Sequence, residues 1–148
     1  MSLSVFSDEH FMKLAIAEAE KALRADEVPV GAVVVCDNQI IARAHNLTET
    51  LTDVTAHAEM QAITSAANYL GAKYLIGCTL YVTLEPCPMC AGALYWGQIG
   101  KIVYGASDEK RGYQKFNPRL LHPKTEIVSG VMQSECSTLL VDFFRNKR

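Results

Sequence analysis

Cys87-Pro-Met-Cys90 has the Cys-x-x-Cys spacing that brings two thiolates to one side of a helical turn, where a single zinc ion can hold both. A redox dithiol uses the same spacing, but its usual setting is the first strand–helix unit of a thioredoxin-like domain, not a position this deep in a chain. His57, thirty positions upstream of Cys87 in Thr55-Ala-His57-Ala-Glu59, would supply a third ligand of suitable softness. His10, His45, His122, Cys36, Cys78 and Cys136 do not stand at ligand spacing from the pair. Structural zinc closes with four protein ligands, whereas three ligands leave a place for water and point to catalysis. Glu59 is then the candidate general acid and base. Residues two apart do not share a helix face, so spacing alone leaves the direction of Glu59 open.

Such residues need elements to hold them. Ser7 followed by Asp8 and Glu9 reads as an N-cap and an acidic first turn, and apolar residues at helical spacing carry a helix to about Asp26. Val28 to Cys36 is β-branched and apolar on both faces, and Asp37-Asn38 separates it from Gln39 to Ala44, which predicts a hairpin with one interior strand. After a polar loop, Thr55 is placed to cap a second helix running to about Tyr69. Cys78 to Thr83 reads as a buried strand, and Pro86 suits the first turn of a third helix reaching Trp96. A strand at Lys101 to Gly105, a long polar loop, a strand at Thr125 to Ser129 and a helix from Ser134 to Arg145 complete the order. Alternation of this kind predicts an α/β fold, a sheet with helices on both faces. Both candidate metal motifs fall at helix starts, where unpaired backbone donors favour thiolates over thiols.

The 148 residues suit one domain covering the whole chain, 1–148, and no repeat, linker or low-complexity tract divides them. Hydrophobic residues at 49% and charged residues at 20% exclude a disordered or collagenous chain. No apolar run approaches the ~20 residues of a bilayer span. The start carries acid where a secretory signal would carry base, and the five cysteines lack the density of a disulfide scaffold, so a reduced, cytoplasmic setting is expected. A net charge of −2 excludes a globally basic nucleic-acid binder but not a local patch. One such patch is Lys110, Arg111, Lys115, Arg119 and Lys124, a stretch without acid, and the chain ends Arg145, Lys147, Arg148.

The order His57-x-Glu59 followed by Pro86-Cys87-x-x-Cys90 resembles the cytidine-deaminase-like zinc hydrolases, whose nucleobase deaminases carry this signature. Glu27-Val-Pro-Val-Gly-Ala, His45-Asn46, Asp53 to Glu59, Thr79 to Ala93, Gly105 to Asp108 and Asp142-Phe-Phe-Arg145 extend the resemblance over nearly the whole chain, toward the bacterial tRNA-specific adenosine deaminases. That resemblance implies a three-layer α/β/α sandwich around a mixed sheet of about five strands. It implies Zn2+ on His57, Cys87 and Cys90, Glu59 as proton shuttle, and Asn46 bonded to the base in the pocket. The implied reaction is conversion of the wobble adenosine of a tRNA anticodon loop to inosine, by a homodimer, with Asp108 near the bound nucleotides.

Two stretches depart from the family pattern. Glu109 to Arg119 replaces a small, glycine-rich segment, and the chain stops three residues after Arg145 where relatives continue as a basic helix. Deamination of a free base or nucleoside (guanine, cytosine or adenosine) is therefore the alternative. Lys110 and Arg111, with Lys115 and Arg119, are nevertheless placed to pair with phosphates, while Tyr113 and Phe116 could stack on unpaired bases. The plainer readings are a solvated basic surface for that loop, a turn former for Asp108, a backbone-bonded loop residue for Asn46, and core or dimer packing for Met89, Tyr95 and Trp96. A non-catalytic, zinc-stapled interaction domain is the reading from another class, and Glu59 argues against it.

Overall fold

The computed structural model describes residues 6–147; Met1 to Val5 and Arg148, which entered the readings of the chain start and of the basic tail, lie outside the described residues. Helix α1 spans Asp8–Arg24, and its Ser7 cap accepts a hydrogen bond from the His10 N–H through Oγ at 3.1 Å. Acid in its first turn and Lys21 and Arg24 in its last complement the helix dipole. Strands β1 (Gly31–Cys36) and β2 (Gln39–His45) form the expected hairpin. Asp37 and Asn38 both adopt positive φ, at 51° and 63°, the conformation demanded by the two-residue turn that matches strand twist.

Helix α2 (Ala58–Leu70), strand β3 (Cys78–Leu84), helix α3 (Pro88–Gly97) and strand β4 (Lys101–Ala106) follow. A four-residue helix α4 (Tyr113–Phe116) sits in the long loop, before β5 (Glu126–Ser129) and helix α5 (Gln133–Asn146). Two helix starts differ from expectation. The α2 cap position is His57, not Thr55, because the Thr55 hydroxyl and N–H are both engaged by Asp53 Oδ1, at 2.7 and 2.8 Å. In α3 the cap is Cys87 and the first-turn proline is Pro88, which leaves Pro86 in the approach to the helix.

The five-stranded sheet has the order β2-β1-β3-β4-β5, with β1 antiparallel to both neighbours and β3, β4 and β5 parallel. Alternate residues of the interior strands face two separate cores. Ala32, Val34, Leu80, Val82 and Ile102 pack with Ala58, Ala62 and Ala66 of α2 and Ala91 and Leu94 of α3. Val33, Val35, Tyr81 and Val103 pack on the other face with Phe11, Met12 and Ala15 of α1 and Cys136 of α5. The mixed α/β/α three-layer fold is thus the expected one. Gly31 marks its tightest crossing, because a Cβ there would overlap the backbone of Ala15 and Ala19.

Register defines two poles. Gly31 lies opposite His45, Ala32 opposite Val82 and Leu84 opposite Ala106 at one end. Cys36 opposite Cys78 and Lys101 opposite Glu126 mark the other. Every candidate site residue follows or flanks the first pole.

Candidate active site

Helix α2 begins at that pole with His57 as its cap residue in extended conformation, φ −69° and ψ 157°. Cys87 caps α3 in the same way, φ −73° and ψ 169°, and the Cys90 N–H donates to its Sγ at 3.5 Å. Two helix N-termini, one preceding β3 in the chain and one following it, therefore converge. Nδ1 of His57 lies 3.6 Å from Cys87 Sγ and 3.5 Å from Cys90 Sγ, and the three ligand atoms all fall within 4.8 Å of one another. A tetrahedron with zinc–sulfur distances near 2.3 Å and zinc–nitrogen distances near 2.0–2.1 Å has nitrogen–sulfur edges of about 3.5 Å, so the spacing fits such an ion. Among the described residues this is the single group of histidines, cysteines and acids brought together at metal-ligand distance. Cys36, Cys78 and Cys136 stand apart from it as free thiols.

The electrostatics suit a cation. A hydrogen bond from Cys90 above all, with help from His57 and against burial, pulls the Cys87 thiol down to about 4. The same bond, donated by Cys90, pushes the Cys90 thiol up, and burial and Glu59 add to the rise. The bond to Cys87 likewise raises His57, opposed by burial. One sulfur is therefore already a thiolate in the protein's own field, and soft N/S2 donors are the set that zinc prefers.

Glu59 is 3% exposed, in the first turn of α2, and its carboxyl feels the charges of both Cys87 and His57. The direction that spacing left open is decided because His57 precedes the helix and is freed from helical geometry. Burial pushes the Glu59 carboxyl up to about 7; its own backbone N–H opposes the rise, and the Cys87 charge adds to it. A carboxyl poised near neutrality can both accept and return a proton.

The remaining residues divide. Asn46 is 7% exposed and both ends of its side chain engage backbone: Nδ2 donates to the Val28 carbonyl at 3.4 Å, and Oδ1 accepts from the Thr48 N–H at 3.2 Å. One Nδ2 hydrogen remains for another acceptor. Asp108 forms a turn, its Oδ1 accepting from the Lys110 and Arg111 N–H groups at 3.1 and 3.0 Å. Lys110, Arg111, Lys115 and Arg119 are exposed, and none forms an ion pair among the described residues. Phe116 is 62% exposed, as a stacking residue must be. Tyr113 is 2% exposed and packs in the core on the α2–α3 face, so it offers no free ring to a base. Its N–H donates to the Pro86 carbonyl, which ties the basic loop to the approach of α3 and buries the ring.

Two buried acids, Glu27 and Glu85, do not stand out in the sequence as site residues. Each lies within a stretch of the family pattern, yet no local spacing distinguishes a buried carboxylate from a surface one.

The MafB19-like deaminase family model matches residues 6–148. A tRNA-specific adenosine deaminase of Bacillus subtilis is 51% identical over 146 residues, covering 95% of this chain and 91% of that protein. A solved structure from a study of A-to-I editing by tRNA:A34 deaminases at the wobble position of transfer RNA superposes with a TM-score of 0.83. It is 46% identical and covers 88% of this chain and 99% of that one. A guanine deaminase from Nitrosomonas europaea, 22% identical with a TM-score of 0.82 over 97% of this chain and 86% of its own, shares the fold. By the family match and this identity over almost its full length, the chain belongs to the MafB19-like deaminase family and to the tRNA-specific adenosine deaminase family.

Proposed function

We propose that this chain hydrolyses the wobble adenosine of a tRNA anticodon loop to inosine and ammonia, with His57 Nδ1, Cys87 Sγ and Cys90 Sγ holding Zn2+ and Glu59 moving the proton. The observation that carries the reading is the convergence of those three donors at tetrahedral spacing, with Glu59 buried in the first turn of the helix that His57 caps. Zinc at such a site supplies a Lewis acid that lowers the pKa of a ligated water toward neutrality. Glu59 takes a proton from the attacking water and delivers it to the exocyclic N6, so that water adds at C6 and ammonia leaves. Asn46 uses its remaining N–H to orient the base, and the Val28 and Thr48 backbone holds its amide in place.

The base must leave the stack of the anticodon loop to reach this centre. Lys110, Arg111, Lys115 and Arg119 meet the phosphates beside the pocket, Asp108 shapes that loop, and Phe116 stacks on an unpaired base. The protein acts as one deaminase domain in the cytoplasm, where its substrate is found. A homodimer is supported by α3, which presents Tyr95 and Trp96 side by side, Trp96 77% exposed, as an apolar surface.

The deciding experiment incubates the zinc-loaded chain with an anticodon stem-loop carrying adenosine at the wobble position, and in parallel with free guanine, cytosine and adenosine. Inosine in the RNA is the expected product. Ammonia from a free base with none from RNA would overturn the substrate assignment in favour of small-molecule deamination.

A further inference from the structure

Glu27 and Glu85 are buried carboxylates outside the metal cluster, 0% and 5% exposed, and neither faces a cation in an ion pair among the described residues. Their partners are the backbones of two loops. Glu27 accepts from the Glu49 N–H at 3.0 Å and the Thr50 N–H at 2.6 Å, and from the hydroxyls of Thr50 at 2.7 Å and Thr48 at 3.5 Å. Glu85 accepts from the Asp108 N–H at 3.0 Å and the Gln114 N–H at 3.2 Å. Gly112 leaves room for that second clamp, since a Cβ there would overlap the Glu85 carboxyl.

A buried carboxylate without a cation is costly to desolvate, and the amides it satisfies could be satisfied by water on an exposed loop. What the carboxylate adds is a fixed loop path. The two loops leave the sheet at the pole that carries the metal cluster. The first runs from Asn46 to His57; its Leu47 N–H donates to the Ala56 carbonyl, one residue before the cap of α2. The second runs from Asp108 through Lys110 and Arg111 to Tyr113, whose N–H returns to Pro86, one residue before Cys87. The clamps thus sit on either side of the centre, Glu27 behind Asn46 and Glu85 behind Asp108.

We propose that Glu27 and Glu85 are a pair of positioning residues, each fixing by backbone hydrogen bonds one of the two loops that line the entrance to the active site. What the loops meet rests on the tRNA reading above; the clamping itself does not. Glutamine preserves shape but replaces one acceptor oxygen by an NH2 group that cannot accept from an amide. In the zinc-loaded full chain, Glu27→Gln should accelerate amide hydrogen exchange at Glu49 and Thr50 about tenfold and leave the Asp108–Gln114 loop unchanged. Glu85→Gln should do the reverse. Zinc content should be unchanged in both, and any loss of protection in β1 and β3 should be smaller than that in the loop each carboxylate holds.

With the anticodon stem-loop, each variant should raise KM about tenfold while kcat moves less than about threefold, the signature of lost positioning rather than lost chemistry. Should Glu27→Gln fail to fold, Thr50→Ala removes one of the four donors and tests the same loop with a smaller rise in exchange. Exchange that is unchanged in both loops, or no more accelerated in the loop than in the sheet, overturns the proposal, as do loosened loops with unchanged KM. Wild-type protein that makes no inosine overturns the substrate reading instead, and the exchange measurements still decide whether the clamps exist.

Discussion

His57, Cys87 and Cys90 hold their donor atoms at tetrahedral separation, so each should be separately necessary for metal. His57→Ala or Cys87→Ser is expected to bring bound zinc from one ion per chain to near none, read by elemental analysis of purified protein; full occupancy in either variant contradicts the ligand set. Glu59 lies outside the three-donor group. Glu59→Gln should keep zinc and lower kcat by about 10²–10⁴-fold, the usual range for a lost general acid–base. Acid stability follows from two other carboxylates. Glu18 is buried, which raises its carboxyl, but bonds from Lys21 and His45 outweigh the burial; Glu27 is likewise raised by burial and held down more strongly by its Thr50, Glu49 and Thr48 bonds. Both end below the ordinary value of 4.5. A depressed folded pKa contributes stability that is complete above the unfolded value and is lost as pH falls through the folded one. Urea midpoints should therefore drop as pH falls below about 4.5, and Glu27→Gln should make that acid limb shallower.

At the scale of elements, the crossing of α1 over β1 is set by one missing side chain. Gly31→Ala would push a methyl into the backbone of Ala15 and Ala19, and neither strand nor helix can yield without disturbing the Val33 and Met12 core. A loss of about 1–3 kcal/mol in urea unfolding is expected, the cost of overpacking a closed interior. The basic loop carries a different expectation. Lys110 and Arg111 are exposed and unpaired among the described residues, with their backbone N–H groups held by Asp108. Lys110→Ala with Arg111→Ala should weaken stem-loop binding and reduce the slope of log affinity against log salt by about two, one for each phosphate no longer neutralised. Salt-independent binding by the wild type would remove the loop from the interface.

For the molecule as a whole, a sheet covered by helices on both faces leaves its chemistry at one pole and an apolar exposure on α3. If Tyr95 and Trp96 are covered by a second copy, the protein should sediment as a dimer, and Trp96→Glu should convert it to a folded monomer. A wild-type monomer at micromolar concentration would dismiss the homodimer.

Element order, the Asp37-Asn38 turn and the candidate metal donors are legible in the sequence because each has a local signature: a hydrophobic period, a turn dipeptide, a ligand spacing. Reading Thr55 as the cap of α2 misses by two residues, because Thr55 looks like a cap until Asp53 is seen to occupy its hydroxyl. Tyr113 reads as a surface ring because its neighbours are polar and basic, while the tertiary fold buries it against α2 and α3. The direction of Glu59 and the duties of Glu27 and Glu85 belong to the structure alone. Glu27 meets Thr50 across 23 residues and Glu85 meets Gln114 across 29, and bonds at that separation leave no periodicity to read. Composition and spacing determined which chemistry the chain can host; only the packing of two helix starts and two clamped loops at one pole of the sheet decided which side chains share it.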